Sequence, residues 1–131
     1  MSKINWREKL GWGEDQIEDL RYAAYAYIRQ GKYDIALPLF EALIIIDQNN
    51  AYNAQTLGAI YLQLGNAPEA IKALDLALKL DTDHAPTLLN LTKALFMLGK
   101  HQDGLKLAHI LKNEKDVLIA NAAKALIMAY E

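Results

Sequence analysis

An all-α fold built from three stacked helix-turn-helix units is predicted by three features of this 131-residue chain. Gly31, Gly65 and Gly99 stand 34 residues apart, with no insertion between them. Apolar residues precede and follow each glycine at spacings that share one helix face. Helix-start residues recur in the same register, so local signals agree with the long period. In that register residues 17–50, 51–84 and 85–118 form three units, residues 1–16 an N-terminal extension and residues 119–131 a capping helix, all within one domain.

The extension can form a short helix over residues 3–10 that carries Trp6 and Leu10 and is broken by Gly11-Trp12-Gly13. Trp6 and Trp12 either pack on the first unit or form a self-association surface, because aromatic anchors are enriched in both settings. Opening helices carry Leu20, Ala23, Ala24 and Tyr27, then Ala54, Leu57, Gly58 and Tyr61, then Leu88, Leu91, Thr92 and Leu95. Closing helices carry Ala36, Phe40 and Leu43, then Ala70, Leu74 and Ala77, then Gly104, Ala108 and Leu111. The small residue that begins each closing set lets two helices approach, and the larger ones fill the space between units.

Helix starts follow the same frame. Asp15 with Glu18 and Asn66 with Glu69 resemble capping boxes, and Asn50 and Asp83 are placed to cap the next opening helices. Pro68 and Pro86 fall in first turns, where a missing N–H costs little. Pro38 lies deeper, which predicts a late helix start near Asp34 or a kink. Ile119, Ala122, Ala123, Leu126, Ile127 and Tyr130 give the last helix an apolar face to cover the third unit.

Composition removes several function classes. With 14 basic against 16 acidic residues and no basic run, attraction to nucleic acid or anionic lipid is weak. No cysteine means no disulfide, thiolate nucleophile or cysteine zinc site, which suits a reducing cytosol. The opening residues lack the apolar core of a signal peptide and no stretch is long enough to span a bilayer, so a soluble protein that stays inside its cell is expected. His84, His101 and His109 are too scattered for a metal site, and Ser2, the one serine, lies at a fraying end. Glu14-Asp15 and Glu18-Asp19 suit a helix start better than a carboxylate active site. The glycines are not followed by the Lys-Ser or Lys-Thr of a phosphate loop. No enzyme and no cofactor are expected.

The 34-residue frame, with Gly58-Ala-Ile-Tyr61, Gly65, Ala70, Ala77 and Asp81, resembles the tetratricopeptide repeat (TPR) family. That resemblance implies a superhelix whose concave wall is made by the opening helices. It places Glu18, Arg21, Tyr25, Ile28 and Arg29 inward, then Tyr52, Gln55, Ala59, Leu62 and Gln63, then Pro86, Leu89, Lys93, Phe96 and Met97. Such large apolar side chains suit the anchors of a partner peptide, although Phe96 and Met97 can equally fill core space beneath the last helix. The Lys and Asn set with which some TPR proteins grip the C-terminal carboxylate of heat-shock chaperones is absent at Arg21, Tyr25, Gln55, Ala59, Leu89 and Lys93.

Within the TPR proteins, Gly31-Lys-Tyr33, Ala36, Phe40, Leu43, Asp47, Leu57-Gly-Ala59, Gln63, Gly65 and Ala70-Ile71 resemble the class II chaperones of bacterial type III secretion. The resemblance implies a cytoplasmic bacterial protein, active in virulence, whose groove holds an extended segment of a translocator before export. Two departures stand out: the N-terminal region in which those chaperones dimerise is short here, and Gly104 stands where alanine is expected. The needle-subunit chaperone of the same apparatus and a generic TPR adaptor remain alternatives, and a homodimer stays open.

Overall fold

The computed structural model describes residues 4–131, and within them the chain forms eight α-helices and no strand. Residues 1–3 lie outside the described residues, and with them Ser2 and the first residue of the helix expected over 3–10. The elements are α1 (Trp6–Leu10), α2 (Glu14–Arg29), α3 (Tyr33–Ile46), α4 (Ala51–Gln63), α5 (Ala67–Leu80), α6 (Ala85–Met97), α7 (His101–Leu111) and α8 (Val117–Tyr130). Helices α2 and α3, α4 and α5, and α6 and α7 pair as hairpins, while α8 packs on α7 and α6.

The three spaced glycines end the opening helices in one way. Gly31, Gly65 and Gly99 have φ of 74°, 77° and 77°, the left-handed region that a Cβ disfavours. Beyond each, the next N–H reaches back to a helix carbonyl: Lys32 to Tyr27 at 2.9 Å, Asn66 to Tyr61 at 2.8 Å and Lys100 to Leu95 at 2.9 Å. One backbone bond pattern thus turns the chain three times, which is why the period is strict.

Helix starts are less uniform. Asn50 and Asn66 cap α4 and α5, accepting from Asn53 N–H and Glu69 N–H, each at 3.3 Å. Asp116 does the same for α8. The expected Asp15 and Glu18 box does not form: α2 starts at Glu14, and Gln16 Oε1 accepts from Gly13 N–H at 2.7 Å. At α6 the cap position belongs to His84 rather than Asp83, and His84 Nδ1 bonds to Thr87 Oγ1 at 2.6 Å. Helix α3 begins at Tyr33, one residue before the expected Asp34, and runs on through Pro38, which is exposed.

The core runs between the helix layers. Ile17, Ala24, Phe40, Leu43, Leu57 and Ile60 form its first part, Ala70, Leu74 and Ala94 the middle, and Leu89, Leu111, Ile119 and Ala123 the last. Each large side chain buried in this way contributes about 1.5–3 kcal/mol. Contacts are tightest where glycine permits. A Cβ on Gly58 would meet Leu74 Cδ2 at 2.5 Å, so α4 and α5 cross with no room for alanine. On the convex side the Tyr61 hydroxyl donates to Glu41 at 3.1 Å, and burial together with that bond raises its pKa.

The stack curves. No Cα of α3 comes within 8 Å of one in α5, nor α5 of α7, whereas α4 and α6, and α6 and α8, approach that closely. Helices α4 and α6 therefore lie on the inside of the bend, and α2 joins their layer through the cavity it shares with α4. Helix α1 rests against α3 on the outside.

Candidate peptide-binding groove

The inner wall is assembled from α2, α4 and α6, because each left-handed glycine returns the chain to the same layer. It holds two connected cavities. The first, of about 420 Å³, lies between α2 and α4 and is walled by Tyr25, Ile28, Tyr52, Gln55, Ala59 and Gln63. Tyr25 and Tyr52 are each 42% exposed and line the same concavity, which makes their apolar surface contiguous rather than scattered. The second, of about 240 Å³, lies between α4 and α6, with Ala59, Leu62, Gln63, Lys93 and Met97 in its wall.

Five wall residues escape the inward pattern of the sequence: Tyr33, Thr56, Ile60 and His84 in the first cavity and Asn90 in the second. Helical spacing could have found two of them. Thr56 stands one turn past Tyr52, and Asn90 one turn before Lys93. Tyr33 opens α3 just past the Gly31 turn and His84 precedes α6, at helix ends where the stacking of the hairpins turns them inward.

Other expected wall residues lie elsewhere. Phe96 is buried and stacks on Tyr130 of α8, with ring centroids 4.2 Å apart and planes 12° from parallel. Leu89 is buried against Leu111, Ile119 and Ala123. Both are corrected from groove wall to core, because α8 covers the inner face of α6 there. Gly104 explains the missing alanine: a Cβ at that position would stand 2.9 Å from the Phe96 ring.

Arg21 is also turned away from the cavities. Its guanidinium pairs with Asp47 at 2.7 Å, donates to Asn53 Oδ1 at 3.0 Å and meets Glu18, which makes it a cross-link between α2, the end of α3 and α4. Arg29 lies over the Tyr25 ring at 5.3 Å, at the rim rather than in the wall. Of the two tryptophans, Trp12 packs against the core of the first hairpin, while Trp6 on α1 is 40% exposed. His101 sits beside the Phe96 and Tyr130 rings, and His109 is 3.0 Å from Glu131. No described helix is long and apolar enough to cross a membrane.

A stack of two-helix units, each turned by a left-handed glycine and open along its inner face, defines a TPR protein. The chain belongs to the family described as anaphase-promoting complex, cyclosome, subunit 3, whose model matches residues 29–109. A curated relative, DnaJ homolog subfamily C member 3 of Gallus gallus, is 25% identical over 103 residues; the match covers 78% of this chain and 20% of that protein. Among solved structures, PcrH of Pseudomonas aeruginosa in complex with the chaperone binding region of PopD is similar, with a TM-score of 0.80. It is 24% identical, and the match covers 92% of this chain and 94% of that one. The Yersinia enterocolitica type III secretion chaperone SycD, in complex with a peptide of the translocator YopD, gives a TM-score of 0.75 at 23% identity, over 91% and 98% of the two chains. At these identities the likeness is one of fold.

Proposed function

We propose that this chain is a cytoplasmic, non-enzymatic chaperone that holds an extended segment of a type III secretion translocator in its groove. The observation that carries the reading is the open aromatic cavity between α2 and α4, where Tyr25 and Tyr52 face solvent on a concave wall. Fold neighbours determined with peptides bound support it. In this reading Tyr25, Ile28, Tyr52, Gln55, Ala59, Leu62, Gln63, Lys93 and Met97 hold the segment, and residues 17–50, 51–84 and 85–118 act as its three units. Membership of a family described by a subunit of a large complex supports a second reading, an adaptor that joins proteins within an assembly.

Co-expression with candidate translocators tests the first reading. The Tyr52→Glu, Leu62→Glu double variant places two charges in the cavities, and we expect copurification to fall more than about tenfold, the equivalent of roughly 1.4 kcal/mol. A folded double variant that captures its cargo undiminished would rule the groove out. Self-association through Trp6 is proposed separately, because that ring remains open on α1. A Trp6→Ala chain that sediments like the parent would remove it.

A further inference from the structure

Charge is spread unevenly over this surface. The chain has 16 acidic residues, yet no carboxylate lines either groove cavity. Cavities elsewhere do carry them: Asp47 beside α1, Glu41 and Glu69 on the convex side, and Glu131 against α7. Helix α4 has no charged residue along its length, and α6 has Lys93 alone. Lys93 is exposed, stands in the second cavity with Asn90 and Gln63, and has no carboxylate within 4.0 Å among the described residues. An unpaired ammonium in a part-enclosed groove without carboxylates favours an anion on whatever lies there.

Geometry sets where that anion falls. The cavities share Ala59 and Gln63 of α4, so they flank that helix and lie about one helix diameter apart, about 10 Å. An extended chain rises about 3.3 Å per residue and crosses that distance in about three residues. We infer that the groove selects extended peptide segments in which a bulky apolar side chain, seated between Tyr25 and Tyr52, stands about three residues from an aspartate or glutamate that pairs with Lys93. This rests on the groove reading above. A free C-terminal carboxylate is a different ligand, since a full clamp brings several cationic donors to one point, and Lys93 is the single cation in its cavity, with Gln63 and Asn90 as its polar neighbours.

The test uses random peptides displayed within a phage coat protein, so that none offers a free C-terminus. They are selected on the parent chain, on Lys93→Glu and on Tyr52→Glu. The parent should enrich an acidic residue about three positions from a bulky apolar one. Lys93→Glu should keep the apolar enrichment and exchange the acidic preference for a basic one. Apolar enrichment without an acidic partner, or an acidic preference unchanged in Lys93→Glu, overturns the pairing and leaves the groove reading intact. No enrichment on the parent, or the same motif recovered on Tyr52→Glu, overturns both. One selected peptide, blocked at both ends, then supplies the magnitude by fluorescence anisotropy. Changing its Glu to Gln should weaken binding about two- to fivefold at low salt, and the difference should shrink at about 0.5 M salt. Equal binding at low salt would count against the pairing.

Discussion

Between α2 and α4 the inner wall stays open, while between α6 and α8 the same face is filled. The open end lies between opening helices of two units, whereas the closed end is completed by α8, the capping helix beyond the third unit. At the open end no Cα of α2 comes within 8 Å of α4, and the two helices are joined across the gap by Arg21, which reaches Asn53 and Asp47. At the closed end α6 and α8 approach within 8 Å, and Phe96, Leu89 and Tyr130 occupy the space. At the open end a polar cross-link supplements the shared apolar core of Ile17, Ala24, Leu57 and Ile60, whereas apolar packing draws α6 and α8 into contact. A cavity for a partner survives at the open end.

The contrast can be broken at its strongest point by Phe40→Ala, which removes a fully buried ring from the core behind the open end. Urea denaturation should show a loss of about 3–5 kcal/mol. A loss under about 1 kcal/mol would mean that the first hairpin packs loosely and owes its position to something else. Arg21→Met comes next. It leaves Asp47 half-buried without its cation, for an expected cost of about 2 kcal/mol. Arg21→Lys should restore little, because one ammonium cannot reach both Asp47 and Asn53 as the planar fork does. Full stability in Arg21→Lys would show that charge, not geometry, spaces the helices.

The smallest effect sharpens the closed end. Gly104→Ala gains about 1 kcal/mol of helix propensity and loses about 1–3 kcal/mol to overpacking against Phe96. Stacking on Tyr130 opposes displacement of the ring, so we expect a net loss near 1 kcal/mol. In a Phe96→Leu background the same change should be neutral or stabilising. Additive effects in that double-mutant cycle would sever the proposed link between this glycine and the stack.

Much of this was legible in the residues, and the misses have a pattern. Gly31, Gly65 and Gly99 announce their turns because a positive φ is costly for any other residue type. Asn50 and Asn66 announce helix starts, since a side-chain oxygen one position before a helix has few other uses. Asp15 failed because Gln16 offered a competing cap one residue along, with the backbone already turned at Gly13. Phe96 and Leu89 failed for a different reason. The family resemblance places them inward, and inward means groove only where no further helix lies across it.

Local chemistry wrote the three-unit frame, its turns and its apolar faces into the chain, because backbone conformation and helical spacing depend on neighbours a few residues away. Which inward side chains stay open depended on the assembled stack. The distance between α2 and α4, the lid that α8 makes over α6, and the inward turn of Tyr33 and His84 all arise from packing between residues far apart in sequence. No local pattern carries such distances, since they emerge only when the hairpins meet.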